Sequence, residues 1–352
     1  MPFDELGFYA LAGGAKNPRA IVDEIRTAEQ LGLGTAFISE RFDVKEAATL
    51  CGAAGAVSDT IRIVTAATNQ TTRHPMVTAA FASTMHGLTN GRFNLGLGRG
   101  IKPIFDAYGI APITTKSMEE FAQLMRRLWS GEVVTDFQDS TRAYRVLAMD
   151  RPDKSPIGLT LVAFGPDTLA LGGRCFDEVV LHTFFSDDTT AKAVQVVKAA
   201  AERAGRNPDD VKVWSCLATI GDHIEEGLRL KKTVGRLATY LQAYGDLMVR
   251  VNRWDPDVLT KFRADPFVSS FRGSIDSKAT TPELEHVATL IPAEWFASSA
   301  TGSPPQCVEA VRHQLGLGCD AVILHGATPI ELGPVVHEYA TTQSTTVTGD
   351  RI

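Results

Sequence analysis

No stretch of this chain approaches the roughly 18 consecutive apolar residues of a membrane-spanning helix. The opening segment MPFDELGFYALAGG lacks a charged leader and has only a brief apolar run, so neither a signal peptide nor an anchor is expected there. Charge of one sign is never concentrated: 35 basic and 41 acidic residues are interspersed, with a formal net charge of −6. That pattern argues against nucleic acid as a partner. Cysteine is scarce. Cys51, Cys175, Cys216, Cys307 and Cys319 are odd in number, far apart and form no CxxC pair, which fits reduced thiols in a cytoplasmic protein. His74, His86, His182 and His325 are scattered, with no carboxylate or second histidine at ligand spacing, so no metal site is expected. The Gly-x-Ser-x-Gly elbow of serine hydrolases is missing, as is any internal repeat.

What the chain does have is 44% hydrophobic residues, laid out as short apolar runs alternating with amphipathic helical segments. Strands are expected at 6–11, 35–39, 61–67, 93–97, 157–164, 178–182, 211–220 and 321–324. Nearly every one is followed by a helical pattern, as at Pro75 to Leu88 and Ser117 to Trp129. Eight βα units spread over the whole chain predict an α/β fold, a (β/α)8 TIM barrel of about 250 residues plus insertions. A doubly wound open sheet is the rival. The expected organisation is one domain over residues 1–352. Insertions fall at 100–116, 132–156 and 222–300; the last is the largest, is mostly helical and precedes the final βα unit.

Barrels do their chemistry at the C-terminal ends of their strands. Those ends carry Glu40 and Arg41, then Ala66, Ala67, Thr68 and Asn69, then Arg99 between Gly98 and Gly100. Ala163, Phe164 and Gly165 follow, and then His182 and His325. Gly96-x-Gly98-x-Gly100 is half of a dinucleotide fingerprint, without the third glycine and with no helix expected to begin there. It reads as a strand-end turn, or as a loop whose Arg99 and free amides receive an anion such as phosphate. Ala163 to Thr168 is a second such loop, with Pro166 opening a helix. Glu40-Arg41 reads as a solvated ion pair or as a functional pair, and Lys45 and Glu46 as helix-start charges. Phe184, Phe185, Trp254, Phe271 and Trp295 suggest a pocket lining or, more simply, core.

Several of these segments together resemble the luciferase-like flavin and deazaflavin oxidoreductases. The resemblance runs through Ala28 to Gly34, Ile38 to Arg41, Thr65 to Pro75, Leu88 to Gly100, Ala163 to Thr168, Ala201 to Asp209 and Gly302 to Val308. The loop from Thr68 to Pro75 is most similar to the branch using coenzyme F-420, an 8-hydroxy-5-deazaflavin, and within it to methylenetetrahydromethanopterin reductase. The resemblance implies a non-proline cis peptide at Ala66–Ala67, forming a bulge behind the deazaflavin ring. It also implies a cytoplasmic oxidoreductase, expected as a homodimer, that moves a hydride between F-420 and a small organic molecule.

On this resemblance Ala66, Ala67, Thr68 and Asn69 line the ring, and Arg99 with Ala163, Phe164 and Gly165 holds the phosphate arm. Glu40 and Arg41 are the catalytic candidates. Family members often have histidine where Arg41 stands; a guanidinium is not a general base at ordinary pH, which leaves Glu40 as the titratable member of the pair. Ile101-Lys102 replaces the acidic residue that deazaflavin sugar-phosphate dehydrogenases carry after Gly100. Gly98-Arg99-Gly100 is also similar to the luciferase subunits, which keeps open the alternative of an FMN-dependent monooxygenase using oxygen.

Overall fold

Eight parallel strands form a closed ring, in a computed structural model that describes residues 2–12, 17–42, 44–139, 142–150 and 153–349. The strands of the chain are β1 (Phe3–Tyr9), β2 (Leu33–Ile38), β3 (Arg62–Thr65), β4 (Phe93–Leu97), β5 (Val134–Gln138) and β6 (Ala143–Leu147). They continue with β7 (Gly158–Val162), β8 (Glu178–Val180), β9 (Lys212–Gly221), β10 (Ser299–Gly302) and β11 (Ala321–His325). The ring runs β1, β2, β3, β4, β7, β8, β9, β11 and back to β1. Helices between successive strands cover its outside, and the fold is a TIM barrel.

Parallel strands covered on both faces read as continuous apolar runs, and β2, β4 and β11 are buried at every position. The interior is filled by Phe37, Val64, Ala66, Val180, Trp214, Ala321 and Ile323. Phe37 and Trp214 meet edge to face at 5.0 Å, so the barrel is a packed core and not a pore.

All eight expected strands form, with ends displaced by a few residues. The insertions hold structure that periodicity alone did not show. A six-residue helix, Lys102–Ala107, begins just after Gly100, where none was expected. Residues 132–156 contain the antiparallel hairpin β5–β6. Between 222 and 300 the chain is largely helical, from Glu226–Leu230 to Ala293–Phe296, but it closes with β10. That strand pairs with the far end of the long β9, from Ser299 opposite Ala218 to Gly302 opposite Gly221. The helices of this region have their own apolar cluster, in which Trp254 and Trp295 stack at 4.3 Å and 7°. Phe184 and Phe185 are buried, so the core reading holds for them.

Candidate active site

The mouth of the barrel is shaped by a register change between β3 and β4. Val64 pairs with Asn94, and the strands meet again at Thr68 opposite Leu97. β3 therefore spends one residue more than β4 between the two pairings, which is a bulge. Thr65 seals it, its hydroxyl donating to Gly96 O at 2.8 Å and accepting from Gly96 N at 2.7 Å. The Ala66–Ala67 peptide inside the bulge is cis. Glycine is required opposite: a Cβ on Gly96 would stand 1.6 Å from Thr65 O, and one on Gly98 2.9 Å from the Ala67 Cβ. Beyond the bulge Thr68 and Asn69 are buried. Asn69 Oδ1 accepts from Thr71 N at 3.0 Å, Thr71 Oγ1 at 3.1 Å and Thr72 N at 3.0 Å, folding the loop back on itself.

Glu40 follows β2 with its side chain only 4% exposed. Arg73 grips it with both terminal nitrogens, Nη1 to Oε2 at 2.9 Å and Nη2 to Oε1 at 2.8 Å. The same Nη1 donates to Thr68 Oγ1 at 2.8 Å, and the Thr68 hydroxyl donates to Glu40. Hydrogen bonding to Glu40 holds the Arg73 guanidinium above its ordinary pKa. Glu40 thus has both oxygens occupied and ties the β2 loop to the bulge. The second partner of Arg73 is Glu46, which also caps its helix through Ala48 N and Thr49 N at 3.1 and 2.6 Å.

Arg41 and Lys45 pinch the β2 loop through paired backbone bonds, Arg41 N to Lys45 O at 3.0 Å and Lys45 N to Arg41 O at 2.8 Å. Lys45 departs from the expected helix-start charge. It is buried, and its Nζ donates to Ala10 O and Leu11 O at 3.1 Å each, at the end of β1. Burial first, then Arg41, brings its ammonium down to about 8.

Two strands round the ring from β2, Arg99 leaves β4 and donates through Nη2 to Thr115 Oγ1. Its Nε is buried without a partner among the described residues. Burial lowers its pKa, and Asp167 opposes that. Asp167 lies in the first turn of the helix Pro166–Cys175, whose N-cap is Gly165 with no side-chain cap. Pro166 has no N–H and Thr168 N donates to Gly165 O at 3.1 Å, which leaves the N–H groups of Gly165 and Asp167. Nothing lies within 4 Å of a Cβ built on Gly165, so the approach to them is open. Ala163 is buried behind them, and Phe164 is half-buried.

An aromatic wall, which the sequence reading did not assemble, completes the mouth. Phe164, His182, Tyr240 and Tyr244 come together, with His182 4.5 Å from Phe164, 4.9 Å from Tyr240 and 5.2 Å from Tyr244. His182 Nδ1 lies 2.9 Å from Thr183 O and must carry the proton, because a carbonyl only accepts. Nε2 then accepts from the Tyr244 hydroxyl at 3.0 Å. Burial among these rings pushes the imidazole down to about 4, so it is neutral at ordinary pH. Burial likewise raises the phenols of Tyr9, Tyr240 and Tyr244. Tyr240 and Tyr244 stand one turn apart on the helix Arg236–Asn252. Their spacing was readable; that Tyr244 meets a histidine 62 residues earlier was not. Among the described residues no group of three His, Cys, Asp or Glu side chains is placed to hold a metal ion. No helix among them is long and apolar enough to cross a membrane.

Comparison with known proteins agrees with this architecture. The 5,10-methylenetetrahydromethanopterin reductase of Methanolobus tindarius is 25% identical over 304 residues, spanning 85% of this chain and 87% of that protein. An F-420-dependent glucose-6-phosphate dehydrogenase of Intrasporangium calvum is 27% identical over 327 residues, spanning 88% and 89%. Among solved structures, the coenzyme F-420-dependent tetrahydromethanopterin reductase of Methanopyrus kandleri superposes with a TM-score of 0.80 over 96% of this chain and 99% of that one. At 18% identity that likeness concerns the fold alone. The luciferase-like monooxygenase pattern matches residues 5–320, from β1 to the edge of β11. The chain is an oxidoreductase belonging to the luciferase-like monooxygenase family.

Proposed function

We propose that the protein transfers a hydride between coenzyme F-420 and a small organic substrate. The observation that carries this reading is the pairing of two features on one rim. These are the buried Nε of Arg99, without a partner among the described residues, and the open helix start at Gly165, which has no side-chain cap. Together they supply a guanidinium and free backbone N–H groups to an anionic cofactor arm. The similarity to an F-420-dependent glucose-6-phosphate dehydrogenase supports F-420 over FMN.

When bound, F-420 supplies a carbon-centred hydride donor or acceptor, the chemistry no side chain provides. This chain's residues do the rest. Ala66, Ala67, Thr68 and Asn69 would form the floor for the ring, the small side chains of Ala66 and Ala67 allowing close approach. Arg99, Ala163, Phe164 and Gly165 hold the arm. Glu40 fixes the floor through Arg73 and Thr68, and Arg41 orients or polarises the substrate. The aromatic wall of Phe164, His182, Tyr240 and Tyr244 excludes water from the reacting atoms. A homodimer is part of the same proposal, read out by light scattering on the purified protein.

Thermal shift tests the cofactor. A ligand at a hundredfold excess over its Kd stabilises the folded state by about 2.7 kcal/mol. F-420 should raise the melting temperature and FMN should not. The rise should shrink in Arg99→Gln. Stabilisation by FMN alone, or oxygen consumption with reduced FMN, would replace this reading with the monooxygenase one.

A further inference from the structure

The β2 loop places two cations at the mouth that no described carboxylate pairs with. Among the described residues the Arg41 guanidinium makes no side-chain hydrogen bond. The Lys45 ammonium has three N–H groups and spends two of them on neutral carbonyls, those of Ala10 and Leu11. One N–H remains.

The carboxylates around the pair are otherwise engaged. Glu40 is held at both oxygens by Arg73, and Glu46 caps its own helix and binds Arg73. Glu24, on the helix Ala20–Gln30, accepts from Leu11 N at 2.7 Å, and burial raises its pKa toward the neutral form. Across the mouth Arg236 adds a third cation, bound to Asp276 at 2.9 Å.

The groups acting on Lys45 are therefore Arg41 and Arg236, which lower its pKa, and Glu24, which opposes them. His325, at the end of β11, registers the same field. After burial, its pKa is pushed well below the ordinary value by Arg236, His182, Lys45 and Lys232. Two adjacent cations held at a mouth in this way are a receptor for an oxyanion. Beside the pair lies an open cavity of about 360 Å³ that reaches Lys45 but not Arg41; it is also lined by Phe42, Val44, Glu40 and Glu46, the two carboxylates both held by Arg73.

We propose that Arg41 and Lys45 form an oxyanion-binding site that takes a carboxylate or phosphate group of the substrate. The site adjoins the proposed F-420 floor, Glu40 N donating to Ala67 O at 3.2 Å, so this inference rests on the proposed function. It names the substrate class as anionic. The anion accepts from the free Lys45 N–H and from the Arg41 fork, anchoring the molecule while its reacting carbon lies toward the ring floor. Phosphate and carboxylate share this chemistry, and separate probes distinguish them.

The test uses inorganic phosphate and acetate, each titrated into full-length protein with and without saturating F-420. Binding is followed by calorimetry, and the Lys45 ammonium by NMR of lysine-labelled protein. The expected result is saturable binding of at least one anion in the presence of F-420, with the Lys45 midpoint rising from about 8 toward the ordinary lysine value. Lys45→Met and Arg41→Gln should each weaken that binding about tenfold or more. Arg41→Gln keeps the test valid if the buried Lys45→Met fails to fold.

The proposal is overturned if neither anion binds or moves the midpoint. It is also overturned if F-420 abolishes the binding, which would give the site to the cofactor's own arm. Asp43 lies outside the described residues. If only Asp43→Asn protein binds anion, the cations are neutralised internally and the proposal fails. Absence of F-420 binding by the unaltered protein refutes the cofactor reading and leaves the anion titration without F-420 to stand on its own.

Discussion

Replacing Arg73 by methionine should damage the protein more than its place in a surface-facing loop suggests. The Arg73 side chain is 16% exposed and the Glu40 carboxylate it grips is 4% exposed. Methionine keeps much of the apolar stem and removes both charge-assisted bonds, leaving Glu40 with the Thr68 hydroxyl alone. Breaking a buried pair by removing one partner costs about 3–5 kcal/mol, because the remaining charge is uncompensated. The surviving Thr68 bond places the expectation at the lower end, about 3 kcal/mol. The Glu46 contact adds little, since that carboxylate is about half exposed. At about 2.1 cal/mol/K per residue of unfolding entropy, a chain of this length should lose about 4 °C in melting temperature. Scanning calorimetry at one fixed rate reads the shift. The double variant Glu40→Gln/Arg73→Met removes the stranded charge and should recover about 1–2 kcal/mol of the loss. A single variant as stable as the parent, or a double variant no better than the single, would refute the buried-pair argument.

Three further outcomes follow from the same geometry. Asn69→Ala leaves three donors of the Thr71–Thr72 loop without their acceptor; it should cost about 1–3 kcal/mol, and hydrogen exchange should show faster exchange at those amides. Gly96→Ala should yield little folded protein, judged by solubility and circular dichroism, since its Cβ would overlap the Thr65 carbonyl. His182 is neutral in the folded state down to about 4, whereas an unfolded histidine takes up its proton near 6.5. Below about 6.5 the unfolded state therefore binds more protons, and stability should fall by about 3 kcal/mol by pH 4. His182→Gln should shallow that acid limb in a melting-temperature profile, with His325 supplying what remains; an unchanged limb would sink the assignment.

The barrel was legible because its strands are short, apolar and separated by helices that begin at proline or polar caps, as Pro75 and Pro166 do. Periodicity reports local burial, so β10 went unread: four residues, Ser-Ala-Thr-Gly, carry too little alternation and gain their place only from the overhang of β9. The same limit explains the site. Ala66, Ala67 and Arg99 could be placed because each lies at or just beyond a strand end. The pairing of Arg73 with Glu40, 33 residues away, depends on how two loops fold toward each other. Lys45 was read as a helix-start charge because nothing local says that the Arg41–Lys45 pinch turns it inward onto Ala10 and Leu11. Tyr244 and His182 meet only because a helix from the long insertion crosses the end of β8.

The central claim is that the mouth holds a deazaflavin, and equilibrium titration of oxidised F-420 and of FMN into the same purified protein tests it most directly. The proposed function predicts saturable F-420 binding, weakened in Arg99→Gln, with FMN binding more weakly. Tight binding of FMN with none of F-420 would contradict it.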